Sequence, residues 1–344
     1  MEGPPALLKA LGGEVGCKRL SKAFYARVGK DPVLRPLFPG KSLKCAIEAF
    51  SAFLIQFLGG DEEQTQFRWW LSLRESHARF RISPAQREAW LKDMAAALDA
   101  TPLDGPTRQG LGQFFEHSSA YLLGDQTSPL QHTELAARWN EQCSLDDAIA
   151  AIASGRDQEA IALAPHFTSR PSVFVGLLSR MVKSGRASLI HFALNAVEQD
   201  QSLATRRYAG RTLLHYAAGA GCLPLVASLL RLGTDPALHD NGGHTPLYRV
   251  ANECGSKSGP AVVRVLVEAG ADVNERSGVT RATALHMAAR RGFFEIAQTL
   301  LDCGASTKLR DRKGDTPLDR ALHCRRPQVA QLLAKRGPIA ATQP

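Results

Sequence analysis

Between Leu7 and about Leu123, apolar side chains recur every three to four residues, the spacing of helices that bury one face. Leu20, Phe24, Tyr25 and Val28 share one such face, and Asp31-Pro32 with the run Pro36 to Gly40 interrupts the pattern as turn residues do. Ile47, Phe50, Ser51 and Leu54 form the next stripe, which stops at Gly59-Gly60, where a helix C-terminus favours glycine. Ser83-Pro84 reads as the N-cap and first residue of a helix carrying Trp90, Leu91, Met94 and Leu98 inward. Thr107 to Leu123, with Leu111, Phe114, Phe115 and Leu122, predicts the last helix of the module. Few β-branched runs break this series, so the module is expected to be all-α. Gly124 to Gln142 is polar and holds Pro129. It reads as a linker with a helical stretch near Leu135 to Trp139.

Beyond it the chain repeats itself. Gly210-Arg-Thr-Leu-Leu-His215 returns as Gly243-His-Thr-Pro-Leu-Tyr248, Arg281-Ala-Thr-Ala-Leu-His286 and Gly314-Asp-Thr-Pro-Leu-Asp319, at intervals of 33, 38 and 33 residues. Extra Gly and Ser residues around Gly255 to Gly259 account for the longer interval. A second apolar helix follows each motif, at Leu225–Leu232, Val262–Glu268, Ile296–Leu301 and Val329–Leu333, and ends on Gly233, Gly270 or Gly304 in three of the four. A period of 33 residues with Thr-Pro-Leu-His is the ankyrin signature. Ser144 to Ala209 carries paired apolar stretches without the motif, as one or two divergent capping repeats would. The expected organisation is a helical domain over 1–126, a linker over 127–142, an ankyrin-repeat domain over 143–337 and a disordered tail over 338–344.

A length of 344 residues suits two domains. No apolar run is long enough to span a membrane, and Met1 to Pro5 does not open a secretory signal, so a cytoplasmic protein with no membrane partner is expected. The seven cysteines are scattered, with no Cys-x-x-Cys pair, which argues against a zinc knuckle or disulfide framework. Charge is uneven: 17 Lys and Arg face 16 Asp and Glu up to residue 142, and 25 face 17 beyond it. Arg276 and Arg310-Asp-Arg-Lys313 place basic residues at repeat tips. A solvated surface and an acidic protein partner both account for them. Nucleic acid is not expected, because no aromatic–basic interleave accompanies the charge. Fingerprints of nucleotide, serine-hydrolase or zinc-protease chemistry are absent from the sequence. His215 and His286 sit in the repeat turn and have a structural role there. His77 stands apart, between an aromatic, arginine-containing stretch (Phe67, Trp69, Trp70, Arg74) and Arg79-Phe80-Arg81-Ile82. A haem needs an imidazole for iron, apolar walls and cations for its propionates. His77 with Phe80, Ile82 and Met94 supplies ligand and wall, and Arg74, Arg79 or Arg81 the cation. On spacing alone, an ordinary half-exposed histidine accounts for His77 as well.

Phe24-Tyr25-Ala-Arg-Val28, Asp31-Pro32-x-Leu34-Arg35-Pro-Leu37-Phe38-Pro39, Phe53-Leu54-x-Gln56-Phe57-Leu58-Gly59-Gly60, His77-x-x-Phe80-x-Ile82 and Ala89-Trp90-Leu91-x-x-Met94 occur in this order. Together they resemble the truncated haemoglobins of the second group, over roughly residues 7–123. The resemblance implies a two-on-two helical globin, followed here by an α-solenoid of ankyrin repeats, with haem b held through His77. It further implies that Tyr25 and Trp90 hydrogen-bond the bound gas, and that Phe38 packs on the haem. Ala46 falls where classical globins place a distal histidine. Phe50 lines the distal wall, and Arg74 lies near a propionate. Departures fall at Asp61-Glu62-Glu63, at Phe67 to Leu71 and at Ser76, which replaces a common arginine; they bear on haem affinity and propionate contacts.

Two donors on a bound gas would slow its release, which fits sensing or redox chemistry better than bulk oxygen delivery. Three readings follow. One is a protein that binds oxygen or another diatomic gas, joined to an ankyrin surface for an unidentified protein partner. Another is a nitric oxide dioxygenase or peroxidase anchored by the repeats and supplied by an external reductase, since no flavin or nicotinamide domain is evident. The third is an interaction scaffold whose globin has lost haem.

Overall fold

Two glycines with positive φ, Gly12 and Gly13, turn the chain from α1 (Ala6–Ala10) into α2 (Gly13–Val28). This corner closes tightly: a Cβ on Gly16 would lie 1.7 Å from the Leu11 carbonyl oxygen, so the position admits only glycine. The computed structural model describes residues 6–38, 40, 42–60, 72–78, 80, 82–125 and 130–336. The expectations for Arg79, Arg81, Pro129, Asp61 to Leu71 and the tail 338–344 lie outside the described residues.

The chain divides into two compact units, residues 1–151 and 152–344. In the first, α2 is followed by α3 (Lys44–Phe57), α4 (Leu73–His77), α5 (Pro84–Asp99), α6 (Gly105–Leu123) and α7 (Thr133–Ser154). Helix α2 packs on α3 and on α5, and α5 packs on α6, which gives the two helix pairs of a two-on-two module. The buried stripe of α2 comprises Leu20, Phe24 and Val28, and that of α6 Leu111, Phe114 and Phe115. Ser83 caps α5 in a reciprocal box with Gln86, with Pro84 as first residue.

The segment read as a linker contains the first half of α7, and the first unit extends through Ala151. Leu135 and Trp139 are buried in the same core as Phe114, and the Trp139 indole meets Phe114, His117 and Tyr121 edge-on at 5.0–5.9 Å. The Arg138 guanidinium donates to the Phe57 carbonyl at 3.1 Å. Two large apolar side chains four residues apart present a helical face that water would penalise, and that face is what docks the segment.

The second unit is a ladder of helix pairs. After α8 (Asp157–Leu163) come α9/α10 (Pro171–Lys183, Ala187–Gln199), α11/α12 (Leu213–Ala220, Leu223–Arg231), α13/α14 (Pro246–Glu253, Gly259–Glu268), α15/α16 (Ala284–Arg291, Phe294–Asp302) and α17/α18 (Pro317–His323, Pro327–Arg336). First helices pack on first helices of the next pair and second on second, as in an α-solenoid. The only described strands, β1 (Arg207–Tyr208) and β2 (Arg211–Thr212), are two residues each and form one antiparallel hairpin.

The repeat motif has a direct physical reason. Thr212 and Thr283 are N-caps whose backbone N–H donates to Nδ1 of His215 and His286. Nε2 of each imidazole then donates to a carbonyl of the following repeat, His244 and Asp315 respectively, at 3.0 Å. Each ring thus ties its own helix cap to its neighbour and must be neutral to do so. Burial accordingly lowers the pKa of His215 to about 4 and lowers that of His286.

Candidate functional site

Helices α2, α3, α5 and α6 bring aromatic side chains around one cavity of about 260 Å³ in the first unit. Tyr25 of α2 meets Phe38 edge-on with ring centroids 5.6 Å apart, and Phe50 of α3 lies 6.3 Å from Tyr25 and 6.1 Å from Phe115 of α6. Trp90 of α5 packs 5.6 Å from Phe115 and 5.2 Å from Phe24. Phe80 bridges Phe38 and His77, each at 6.4 Å. Of the residues singled out from the sequence, Tyr25, Phe38, Ala46, Phe50, His77, Phe80, Ile82 and Trp90 line this cavity.

Two of the expected site residues lie elsewhere. Met94 is 1% exposed and belongs to the apolar core rather than to the cavity wall. It falls one helical turn past Trp90, on the part of α5 that packs inward. Arg74 is not at the cavity. Its guanidinium stacks 4.2 Å over the Tyr121 ring and pairs with Asp147 at 3.3 Å, at a half-exposed surface position. Among the described residues, the cation that lines the cavity is Arg87, one turn before Trp90 on α5, held by the Ser119 hydroxyl at 3.0 Å and the Glu116 carbonyl at 3.1 Å. The spacing of three from Trp90 was the sequence signal for it.

His77 is oriented by its own short helix. Nδ1 donates to the Leu73 carbonyl at 2.9 Å, and the Ser76 hydroxyl, which donates to the same carbonyl at 2.7 Å, lies 2.8 Å from Nδ1. A carbonyl can only accept, so the Leu73 contact belongs to the tautomer in which Nδ1 carries the proton and Nε2 the lone pair. This is the arrangement in which metal-ligating histidines are held.

Across the cavity wall, Tyr25 and Trp90 present two donors. No hydrogen bond from the described residues reaches the Tyr25 hydroxyl or the Trp90 indole N–H. Half-buried groups of this kind ordinarily find a partner. Desolvation raises the Tyr25 pKa, so the phenol stays protonated and remains a donor at neutral pH. Among the described residues, aromatic walls, the His77 imidazole, two donors that none of them engages and Arg87 make a pocket that fits a haem and a small ligand on it.

Helix α7 also takes part, which the sequence reading missed. Gln142 lines the cavity and donates to Asp146 at 3.0 Å. The Asp146 carboxylate is 1% exposed and accepts from the amides of Leu73 (2.9 Å) and Arg74 (3.2 Å) and from the Tyr121 hydroxyl (3.2 Å). Burial raises its pKa, and these four donors pull against that rise. Leu135, Trp139, Gln142 and Asp146 form one stripe at helical spacing, and only its apolar half drew notice in the sequence.

Residues 6–119 match the bacterial-like globin family, and 178–277 and 255–342 match ankyrin repeats. The chain is 35% identical over 115 residues to the Group 2 truncated hemoglobin YjbI of Bacillus subtilis, covering 33% of this chain and 86% of that protein. It is a bacterial-like globin carrying ankyrin repeats. The repeat half of this globin is 33% identical over 125 residues to the B-cell lymphoma 3 protein homolog of Mus musculus, over 36% of this chain and 27% of that one. It is also 36% identical over 128 residues to Protein PhlB of Serratia liquefaciens, over 37% and 55%. The globin therefore spans about a quarter to a half of the length of these ankyrin relatives. Globin membership implies a haem cofactor and a diatomic gas ligand, and the repeats imply protein interaction. No helix among the described residues is long and apolar enough to cross a membrane.

Proposed function

We propose that this globin holds haem b through His77 and binds oxygen or another diatomic gas, while its ankyrin surface engages an acidic protein partner. When bound, haem supplies the iron that takes up the gas. The carrying observation is the pairing of a Nδ1–H imidazole at His77 with two donors, Tyr25 and Trp90, that no described residue engages, all on one cavity. With haem bound, Tyr25 and Trp90 would be the donors for the gas, Phe38, Phe50 and Phe80 would exclude water, and Arg87 would supply a cation for a propionate. The chain lacks a Cys-x-x-Cys-His attachment site, in keeping with a non-covalent haem b. Its seven free thiols fit a reducing cytoplasm. For the partner, the support is the exposed basic side chains of Arg276, Arg281, Arg312 and Lys313 at neighbouring repeat turns, with no carboxylate paired to them among the described residues.

Absorbance spectra of the purified full chain in ferric, ferrous and carbon monoxide forms test the haem assignment. A Soret band that shifts with carbon monoxide is expected. A colourless chain that also fails to take up added haemin would leave an interaction scaffold. Turnover of nitric oxide with a supplied reductase would instead point to an anchored dioxygenase.

A further inference from the structure

We infer that Asp146, which lies beyond the family match on a helix of its own, is a positioning residue for His77. The inference rests on the haem reading above. Helix α4 is five residues long, too short to hold itself, and its first amides must find partners outside it. The Leu73 and Arg74 amides donate to Asp146, the Glu75 amide donates to the Ser72 hydroxyl at 3.0 Å, and the Ser76 amide donates to the Ser72 carbonyl at 3.2 Å. The Ser76 bond is the helix's own first turn, so two of the three remaining amides, Leu73, Arg74 and Glu75, are held by one carboxylate from α7.

The same contact reaches the imidazole through a single peptide group. The Leu73 carbonyl and the Arg74 amide belong to one peptide unit. Its N–H donates to Asp146 at 3.2 Å, and its carbonyl accepts from His77 Nδ1 at 2.9 Å. An anionic acceptor on the N–H polarises that unit and makes its carbonyl a stronger acceptor. The stronger the bond at Nδ1, the more basic is Nε2 as a metal ligand. Asp146 is fixed for this task. It is buried, braced by Tyr121 and Gln142, and carried on a helix anchored by Leu135 and Trp139, eleven and seven residues earlier. Helix α7 is thus a working part of the proximal side of the pocket rather than a spacer after it.

The test uses the full chain with Asp146→Asn, which keeps shape and removes charge, and Asp146→Ala. In haem-free protein, amide exchange at residues 73–76 is expected to quicken about tenfold in Asp146→Ala and less in Asp146→Asn. In haemin-loaded protein, resonance Raman of the ferrous form should show a lower iron–histidine stretching frequency in Asp146→Asn, with a higher midpoint potential and haem loss about tenfold faster. Asp146→Glu, which restores the charge, should recover part of the frequency. Unchanged exchange in Asp146→Ala overturns the inference. So does faster exchange with an unchanged stretch and potential, which would leave Asp146 as a helix cap alone. A wild-type chain that takes up no haem overturns the haem reading and this inference together, whereas a loaded wild type with indifferent variants overturns this inference only. Should Asp146→Ala fail to fold by circular dichroism, the Asp146→Asn readouts decide.

Discussion

Removing the Tyr25 hydroxyl separates ligand binding from folding. Tyr25→Phe deletes one oxygen atom that no described residue engages, in a ring otherwise held by Phe24, Phe38 and Phe50 at 5.0–6.3 Å. Because no hydrogen bond to a described residue is broken, stability should be unchanged or rise slightly, since a half-buried hydroxyl without such a partner carries a desolvation cost. The gas-bound state loses a donor to a charge-bearing acceptor, a contact that contributes about 1.5–3 kcal/mol, so oxygen should leave roughly ten- to a hundredfold faster. Trp90→Phe removes the second donor but also shrinks a ring packed between Phe24 and Phe115, so it should quicken release and cost some stability. Stopped-flow displacement of oxygen by carbon monoxide measures the release, and thermal melts of haem-free protein measure the stability. If the two donors share one ligand atom, the double variant should depart from the product of the single effects. Unchanged release in both single variants would show that neither group reaches the gas. A clear loss of stability in Tyr25→Phe would show that its hydroxyl has a protein partner.

His77→Ala should abolish stable haem binding while the ankyrin unit keeps its melting transition; a normal Soret band in that variant would assign the ligand elsewhere. Arg281 occupies the repeat-turn position filled by Gly210, Gly243 and Gly314, and like them it has positive φ, 52° against 72–84°. Arg281→Gly should therefore stabilise the second unit by about 0.5–1 kcal/mol, the left-handed penalty less the added chain entropy, and a lower thermal midpoint would refute this. His215 is held near pKa 4 against 6.5 unfolded, so below pH 6.5 the unfolded chain takes up a proton that the folded one refuses. Stability should be flat above pH 6.5 and fall by about 3 kcal/mol toward pH 4, and His215→Gln should flatten that slope in urea titrations.

Local pattern determined much of this molecule. Leu20, Phe24 and Val28, or Leu111, Phe114 and Phe115, declare a buried helical face because the spacing of apolar residues along the chain is the packing itself. The repeats declared themselves because each unit solves the same local problem, a threonine cap tied by histidine to the next turn, so the solution recurs in the sequence. His77, Tyr25 and Trp90 were legible for a different reason: they match a family, and the spacing alone left them open. Tertiary structure decided the rest. Met94 went to the core and Arg74 to the ring of Tyr121, because which way a helix face turns depends on its neighbours. Arg87 entered the cavity for the same reason. Asp146 reads in sequence as one more solvated acid before Asp147. Its role exists only because folding brings it to amides 72 and 73 residues away, and burial makes those few hydrogen bonds matter.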